Sequence, residues 1–173
     1  IFIKYKEEYK DEKPDLVLLN TTSDYRKTLN NVSGFKLAKN GKWLTYTLDY
    51  DKKEKKKGKK LVLRHLKSET EISVDNVYEY TLDSLGNNIF YSTLIENGLN
   101  GIYSRNLNEE YVPVKTIETD SSSKYSNLTW DETLSKLLYF KGKLLKDNNT
   151  KDNSVNLYDN NTKSLVIIAD TST

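Results

Sequence analysis

Side chains able to carry chemistry are few here, and their spacing builds no reaction centre. The chain has one histidine, His65, and no cysteine. Thiolate nucleophiles, disulfides and Cys-based zinc sites are therefore excluded, and a metal would have to rely mostly on carboxylates. No Asp-x-Asp-x-Asp-Gly loop suited to calcium occurs. A serine nucleophile needs a sharp elbow, usually Gly-x-Ser-x-Gly, together with a histidine and an acid. That elbow is absent, and Ser121-Ser122-Ser123 reads as a polar linker. Glu7-Glu8 and Glu109-Glu110 are paired acids, but both fall in expected turns or loops, where solvated charge is the ordinary outcome. The seven glycines are scattered singly apart from Gly98 and Gly101, which leaves no phosphate loop or dinucleotide fingerprint. We expect no catalytic, cofactor-binding or metal-ligating residue in this stretch, and no cofactor.

Charge narrows the partners further. The 173 residues carry 27 basic and 25 acidic side chains, a formal +2, too balanced for a dedicated nucleic-acid binder. The densest basic run, Asp51–Lys60, has no interleaved aromatic for base stacking and is all lysine among its bases. A solvated hairpin loop guarding a sheet edge is the better reading. No apolar run approaches the ~18 residues of a membrane span, so neither nucleic acid nor a membrane span is expected. Thirteen Tyr, four Phe and two Trp argue for a packed domain. The chain starts at Ile1 and contains no Met, which suggests a piece of a longer protein. Absence of Cys leaves the compartment open, with an exported or periplasmic setting favoured over a cytoplasmic one. The Asn-x-Ser/Thr triplets, Asn20-Thr21-Thr22 among them, are what an Asn-rich chain produces by chance.

What must position any site is a repeat. Three segments align without gaps: Phe35-Lys-Leu-Ala-Lys-Asn-Gly-Lys-Trp-Leu-Thr-Tyr46, Tyr80-Thr-Leu-Asp-Ser-Leu-Gly-Asn-Asn-Ile-Phe-Tyr91 and Leu128-Thr-Trp-Asp-Glu-Thr-Leu-Ser-Lys-Leu-Leu-Tyr139. Each reads as strand, polar turn, strand, with the period of two that a half-buried strand requires. Gly41 and Gly86 share a turn position, which Leu134 takes in the third copy. A third strand follows each copy at Leu61–Leu66, Ile102–Leu107 and Val155–Asn160. A fourth is expected near Thr70–Val74, Tyr111–Thr116 and Ser164–Ile168. His65 aligns with Asn106 and Asp159, a polar column facing a turn, which suits it better than the role of catalytic base. Trp43 and Trp130 fall on or beside core strands, where packing between repeats is their expected role.

Four antiparallel strands every ~40–50 residues is the period of a β-propeller blade. Ile1-Phe2-Ile3-Lys4-Tyr5 fits a second strand, Leu16-Val-Leu-Leu19 a third and Tyr25–Leu29 a fourth. The expected fold is all-β, a partial propeller of three complete four-stranded blades plus three strands of another. Its divisions are 1–32 for the incomplete blade, then 33–75, 76–120 and 121–173. Propellers close with four to eight blades, so this piece should leave a blade face uncovered.

The first copy, with Leu61-Val-Leu-Arg-His-Leu-Lys-Ser-Glu-Thr70, resembles the repeat F-x-x-S-x-D-G-K-x-L-x-Y…L-x-x-x-x-L-x-T-G-x. This WD40-like repeat is shared by Tol-system propellers and by the N-terminal propellers of prolyl oligopeptidase-family serine peptidases. Asn100-Gly-Ile-Tyr-Ser-Arg-Asn-Leu107 and Asn127-Leu-Thr-Trp-Asp-Glu132 look similar to such peptidases of Bacteroidetes-type bacteria. Ala38 and Asn40 depart from the pattern's Ser and Asp, which is expected to weaken that turn. The resemblance implies a hydrolase parent whose catalytic Ser, Asp and His lie in a C-terminal α/β-hydrolase domain outside this stretch. It also implies a propeller that scaffolds that domain and gates short peptide substrates. No match transfers a substrate-holding role to Glu109 or Glu110. The alternative is a stand-alone Tol-type propeller that binds a protein or peptide.

Overall fold

The computed structural model describes residues 2–4, 14–54, 56–108, 113–131 and 135–171. These form antiparallel sheets and contain no α-helix, so none of their helices is long and apolar enough to cross a membrane. β1 (Phe2–Lys4), β2 (Asp15–Leu19) and β3 (Arg26–Leu29) make a three-stranded sheet, blade 1. Seven strands follow in one sheet: β4 (Val32–Leu37), β5 (Trp43–Leu48), β6 (Lys59–His65), β7 (Glu71–Leu82), β8 (Asn88–Thr93), β9 (Gly101–Asn106) and β10 (Val114–Thr119). A four-stranded sheet closes the chain as blade 4: β11 (Ser123–Asp131), β12 (Lys136–Leu144), β13 (Thr150–Asp159) and β14 (Ser164–Asp170).

The seven-stranded sheet is two blades that share a strand. β7 pairs with β6 through residues 71–77 and with β8 through residues 77–82. Its first half is the outer strand of blade 2, and its second half is the inner strand of blade 3. The ladder shifts register at Val77 on both sides, next to Asn76, whose φ is 57°. Asn31 holds the same conformation (φ 58°) just before Val32, where blade 1 passes into blade 2. Asparagine enters the left-handed region more readily than other non-glycine residues, so it can redirect a strand without ending it.

Two expectations shift. The outer strand of blade 3 begins at Val114; Tyr111 and Val112, like Glu7, Glu8, Glu109 and Glu110, lie outside the described residues. In blade 1, Phe2 stands opposite Val17, as Tyr46 stands opposite Val62. Phe2, and not Ile3, therefore occupies the backbone position of Tyr46 and Tyr91. A one-residue slip is easy to make in a short apolar strand with no turn to anchor it.

Three buried clusters lie between successive blades. Leu16, Leu18 and Leu29 of blade 1 meet Leu44, Tyr46 and Val62 of blade 2. Trp43, Leu61 and Leu63 on the other face of blade 2 meet Ile89 and Tyr91 of blade 3. Phe90 and Ile102 on the opposite face of blade 3 then meet Leu137, Tyr139 and Tyr158 of blade 4. Strand alternation sends neighbouring residues to opposite faces, so blades 2 and 3 are apolar on both sides.

Gly41 (φ 69°) and Gly86 (φ 73°) adopt the left-handed conformation that their turns require. A Cβ on Gly86 would also sit 2.7 Å from the Ala38 Cβ, so the two small residues let adjacent turns touch. Asn40 does not weaken its turn. Its Oδ1 accepts the Lys42 N–H, while its Nδ2 donates to the Gly86 carbonyl of the next blade, a bond that aspartate could not make. Leu134 lies outside the described residues; Ser135 beside it has φ 55°.

Asp120 organises the passage from blade 3 to blade 4. It accepts from the Ser122 hydroxyl and N–H and from the Ser123 hydroxyl. These bonds hold its carboxyl at about 2, against an ordinary 3.8. The folded state therefore releases this proton at lower pH than the unfolded chain does. The resulting stability is complete above the ordinary value and is lost as pH falls toward 2. Asp120→Asn should flatten the fall in melting temperature across that window, and an unchanged slope would refute the assignment. At the blade 2–3 interface, Leu63→Ala should cost about 2–5 kcal/mol in urea unfolding. Leu85→Ala, at a site 65% exposed, should stay within about 0.5 kcal/mol.

Candidate functional site

The first strands of blades 2, 3 and 4 converge. Lys36 of β4 donates to the Tyr80 carbonyl at 3.2 Å and lies over the Tyr80 ring. Glu79 of β7 accepts the Leu128 N–H of β11 at 3.2 Å, and Lys124 lies over the Tyr78 ring. Between these strands an open cavity of about 570 Å³ is lined by Lys36, Lys39, Thr81, Asp83, Thr129 and Trp130, among others. Trp130 is held there by stacking on Phe90, with ring centroids 4.6 Å apart. Charges of both signs and hydroxyls stand there beside Leu37, Leu82, Leu128 and Trp130, a mixed wall that a peptide chain can rest against. Asp83 is engaged there by the Asn87 N–H and the Asn88 side-chain amide, and among the described residues no histidine lines the wall.

His65 ends β6 and serves the following turn. Its Nδ1 accepts the Ser68 N–H at 3.2 Å and lies 2.8 Å from the Ser68 hydroxyl. A ring nitrogen that accepts an N–H carries no proton, so the neutral ring is protonated at Nε2. The ring meets Trp43 edge-on at 5.0 Å, and Trp43 Nε1 donates to the Leu107 carbonyl of blade 3. Trp43 thus serves the packing of blades 2 and 3, and His65 packs against its ring within blade 2. Among the described residues, no three acidic or imidazole side chains gather as a metal site would need. In the basic run, Lys56 pairs with Glu54 and covers the Tyr50 ring, and Lys59 pairs with Asp49. Those lysines are engaged within their own loop.

The least foreseen feature is Arg64, 2% exposed near the end of β6, directly after the apolar run Leu61–Leu63. Its two amino groups reach Glu71 and Glu69 at 2.8 Å each, and Nη2 also donates to the Tyr25 hydroxyl of blade 1 at 3.3 Å. Burial opposes its charge, but the bonds to Glu71, Tyr25 and Glu69 outweigh it and raise the guanidinium pKa. Tyr25 and Arg64 hold the Glu69 carboxyl below its usual range. Burial first, then the Glu71 charge, push the Tyr46 hydroxyl up to about 12. Arg64 also lines a cavity of about 330 Å³ with Leu18, Tyr25, Leu37 and Leu66. A similar cluster joins blades 3 and 4: Glu118 accepts from Tyr139 at 2.7 Å and pairs with Lys141. Burial and that carboxylate push the Tyr139 hydroxyl far up.

A sequence signal for Arg64 existed in its column, since Arg64 and Arg105 align on third strands. At Arg64 it marks a clamp between blades 1 and 2. Both carboxylates at Arg64 reach water, so Arg64→Ala should cost about 2 kcal/mol, below the 3–5 kcal/mol of fully buried pairs. The exposed Arg26→Ala is the control, and an equal effect of the two in urea unfolding would remove the clamp.

No protein-family model and no curated protein matches the chain. Solved structures do. The β-propeller domain of the Trilobed protease from Pyrococcus furiosus matches with a TM-score of 0.55 and 19% identity, over 80% of this chain and 42% of that one. A structure from a study of two prolyl endopeptidases gives 0.63 and 12%, over 93% and 27%. TolB from Acinetobacter baumannii gives 0.53 and 16%, over 91% and 38%. The chain therefore spans less than half the length of each. At these identities the likeness concerns the fold, and it shows the chain to be a partial β-propeller of four-stranded antiparallel blades.

Proposed function

We propose that this propeller belongs to a serine peptidase of the prolyl oligopeptidase type, where it scaffolds the hydrolase domain and admits short peptides to it. The observation that carries the reading is the open cavity at the converging first strands, whose lining mixes charges and hydroxyls with apolar side chains. Such a wall can select by size and leave the bond cleavage to another domain. Acyl transfer through a seryl intermediate would then occur in the hydrolase domain. The propeller likeness to a protease and to prolyl endopeptidases supports that placement. A second reading, a Tol-type propeller that binds a protein or peptide on a rigid face, draws on the TolB likeness.

The parent protein that contains these residues separates the two. A serine-directed fluorophosphonate should label it, and Thr129→Trp, which narrows the cavity, should lower kcat/KM for a ten-residue peptide about tenfold or more. A dipeptide substrate should be turned over as before. Absence of labelling would leave the Tol-type reading. Labelling with an unchanged preference for peptide length would refute the gate and keep the peptidase.

A further inference from the structure

Three of the seven glycines follow an asparagine: Asn40-Gly41, Asn97-Gly98 and Asn100-Gly101. Such a pair can cyclise, because a residue without Cβ lets its backbone nitrogen swing onto the preceding side-chain carbonyl. Two of the pairs are locked. Asn40 has both ends of its amide bonded, to the Lys42 N–H and to the Gly86 carbonyl, and the Gly41 N–H donates to the Ala38 carbonyl at 2.9 Å. Asn100 is fully buried; its Oδ1 accepts the Ile95 N–H at 2.7 Å, and its Nδ2 donates to the Ser123 carbonyl of blade 4 at 2.9 Å. The Gly101 N–H donates to the Thr93 hydroxyl at 3.2 Å. Asn97 differs. It is exposed in the loop between β8 and β9, and among the described residues its amide has no hydrogen-bond partner. The Gly98 N–H is held only by a 3.4 Å contact to the Ile95 carbonyl. The turn also dictates both residue types. Asn97 has φ 55°, which asparagine tolerates better than most residues, and a Cβ on Gly98 would come within 2.3 Å of Ile95 Cγ2.

We propose that Asn97 is a site of spontaneous deamidation and backbone isomerisation, the one Asn-Gly pair that this fold leaves reactive. Opening of the turn breaks a single long bond. The Gly98 nitrogen, its proton taken by solvent hydroxide, then attacks Asn97 Cγ. The new C–N bond closes an imide ring, and the side-chain nitrogen leaves as ammonia after taking up a proton from water. A second water adds to one of the two imide carbonyls. Breaking the bond from the Gly98 nitrogen to Cγ gives aspartate. Breaking its bond to the backbone carbonyl carbon gives isoaspartate, whose main chain runs through the former side chain. In sum, an amide and water become a carboxylate and ammonium, with no oxidant or reductant. Either product places a second negative charge beside Glu96, and isoaspartate adds a carbon to the main chain ahead of the Asn100 anchor. At Asn40 or Asn100 the same reaction would remove a donor that joins two blades. None of this depends on the peptidase reading.

The test incubates the folded chain in mildly alkaline buffer made with heavy-oxygen water, beside the same chain in urea. Incubation runs until the urea sample has reacted at all three pairs. Fragment masses after proteolysis then assign the heavy oxygen to single residues. Relative to its own rate in urea, Asn97 should be slowed at least about tenfold less than Asn40 or Asn100, whose amides are freed only when bonded structure opens. Isoaspartate should accompany aspartate at position 97, as an imide requires. Asn97→Gly, which accepts the same φ and removes the amide, should abolish the first acidic species on isoelectric focusing and leave the melting temperature unchanged. An Asn97 that keeps its amide in the folded chain while the urea sample reacts would overturn the proposal. Equal protection of the three pairs would do so too, as would a first acidic species that survives Asn97→Gly.

Discussion

Blades 2 and 3 of this protein are apolar on both faces, and each of those faces is buried against a neighbouring blade. A single antiparallel sheet with one wet face needs only one partner layer, whereas blades 2 and 3 need a neighbour on each side. Leu61 and Leu63 point forward from β6 while Val62 and Arg64 point back, so one strand contributes to two interfaces. Stability is therefore spread along the array in nearest-neighbour terms. The buried clusters between blades form the core, and no blade has one of its own.

Polar groups adapt to that demand. Arg64 is carried into an apolar interface by strand alternation, and Glu69, Glu71 and Tyr25 meet it there. Glu118, Lys141 and Tyr139 solve the same problem two interfaces later, between blades 3 and 4. Asn40 and Trp43 do it with bonds to backbone carbonyls of the next blade, Gly86 and Leu107, and Asn40 also donates to Asn87 Oδ1. Such clamps fix the relation between blades, because a buried donor displaced from its partner costs more than the bond contributes. The cavity at the converging first strands is shaped by three blades and lined by both polar and apolar side chains.

Much of this was legible in the chain itself. Alternating apolar residues in three aligned copies, with glycines at a shared turn position, specified strands, hairpins and blade period, because side-chain direction in a strand follows sequence parity. The polar column of His65, Asn106 and Asp159 pointed to turns for the same reason. The near-balanced charge and the missing cysteines excluded whole classes of chemistry. Tertiary structure decided which parity faced which neighbour. It showed Asn40 strengthening contact between turns, Phe2 standing one place from its expected register, and β7 running unbroken through two blades. It also placed the Arg64 carboxylates, which come from the turn and strand that follow it, and Tyr25, which comes from another blade. Periodicity encodes alternation within a strand. Pairing across blades depends on how twisted sheets meet in space, and no local spacing in the chain records that.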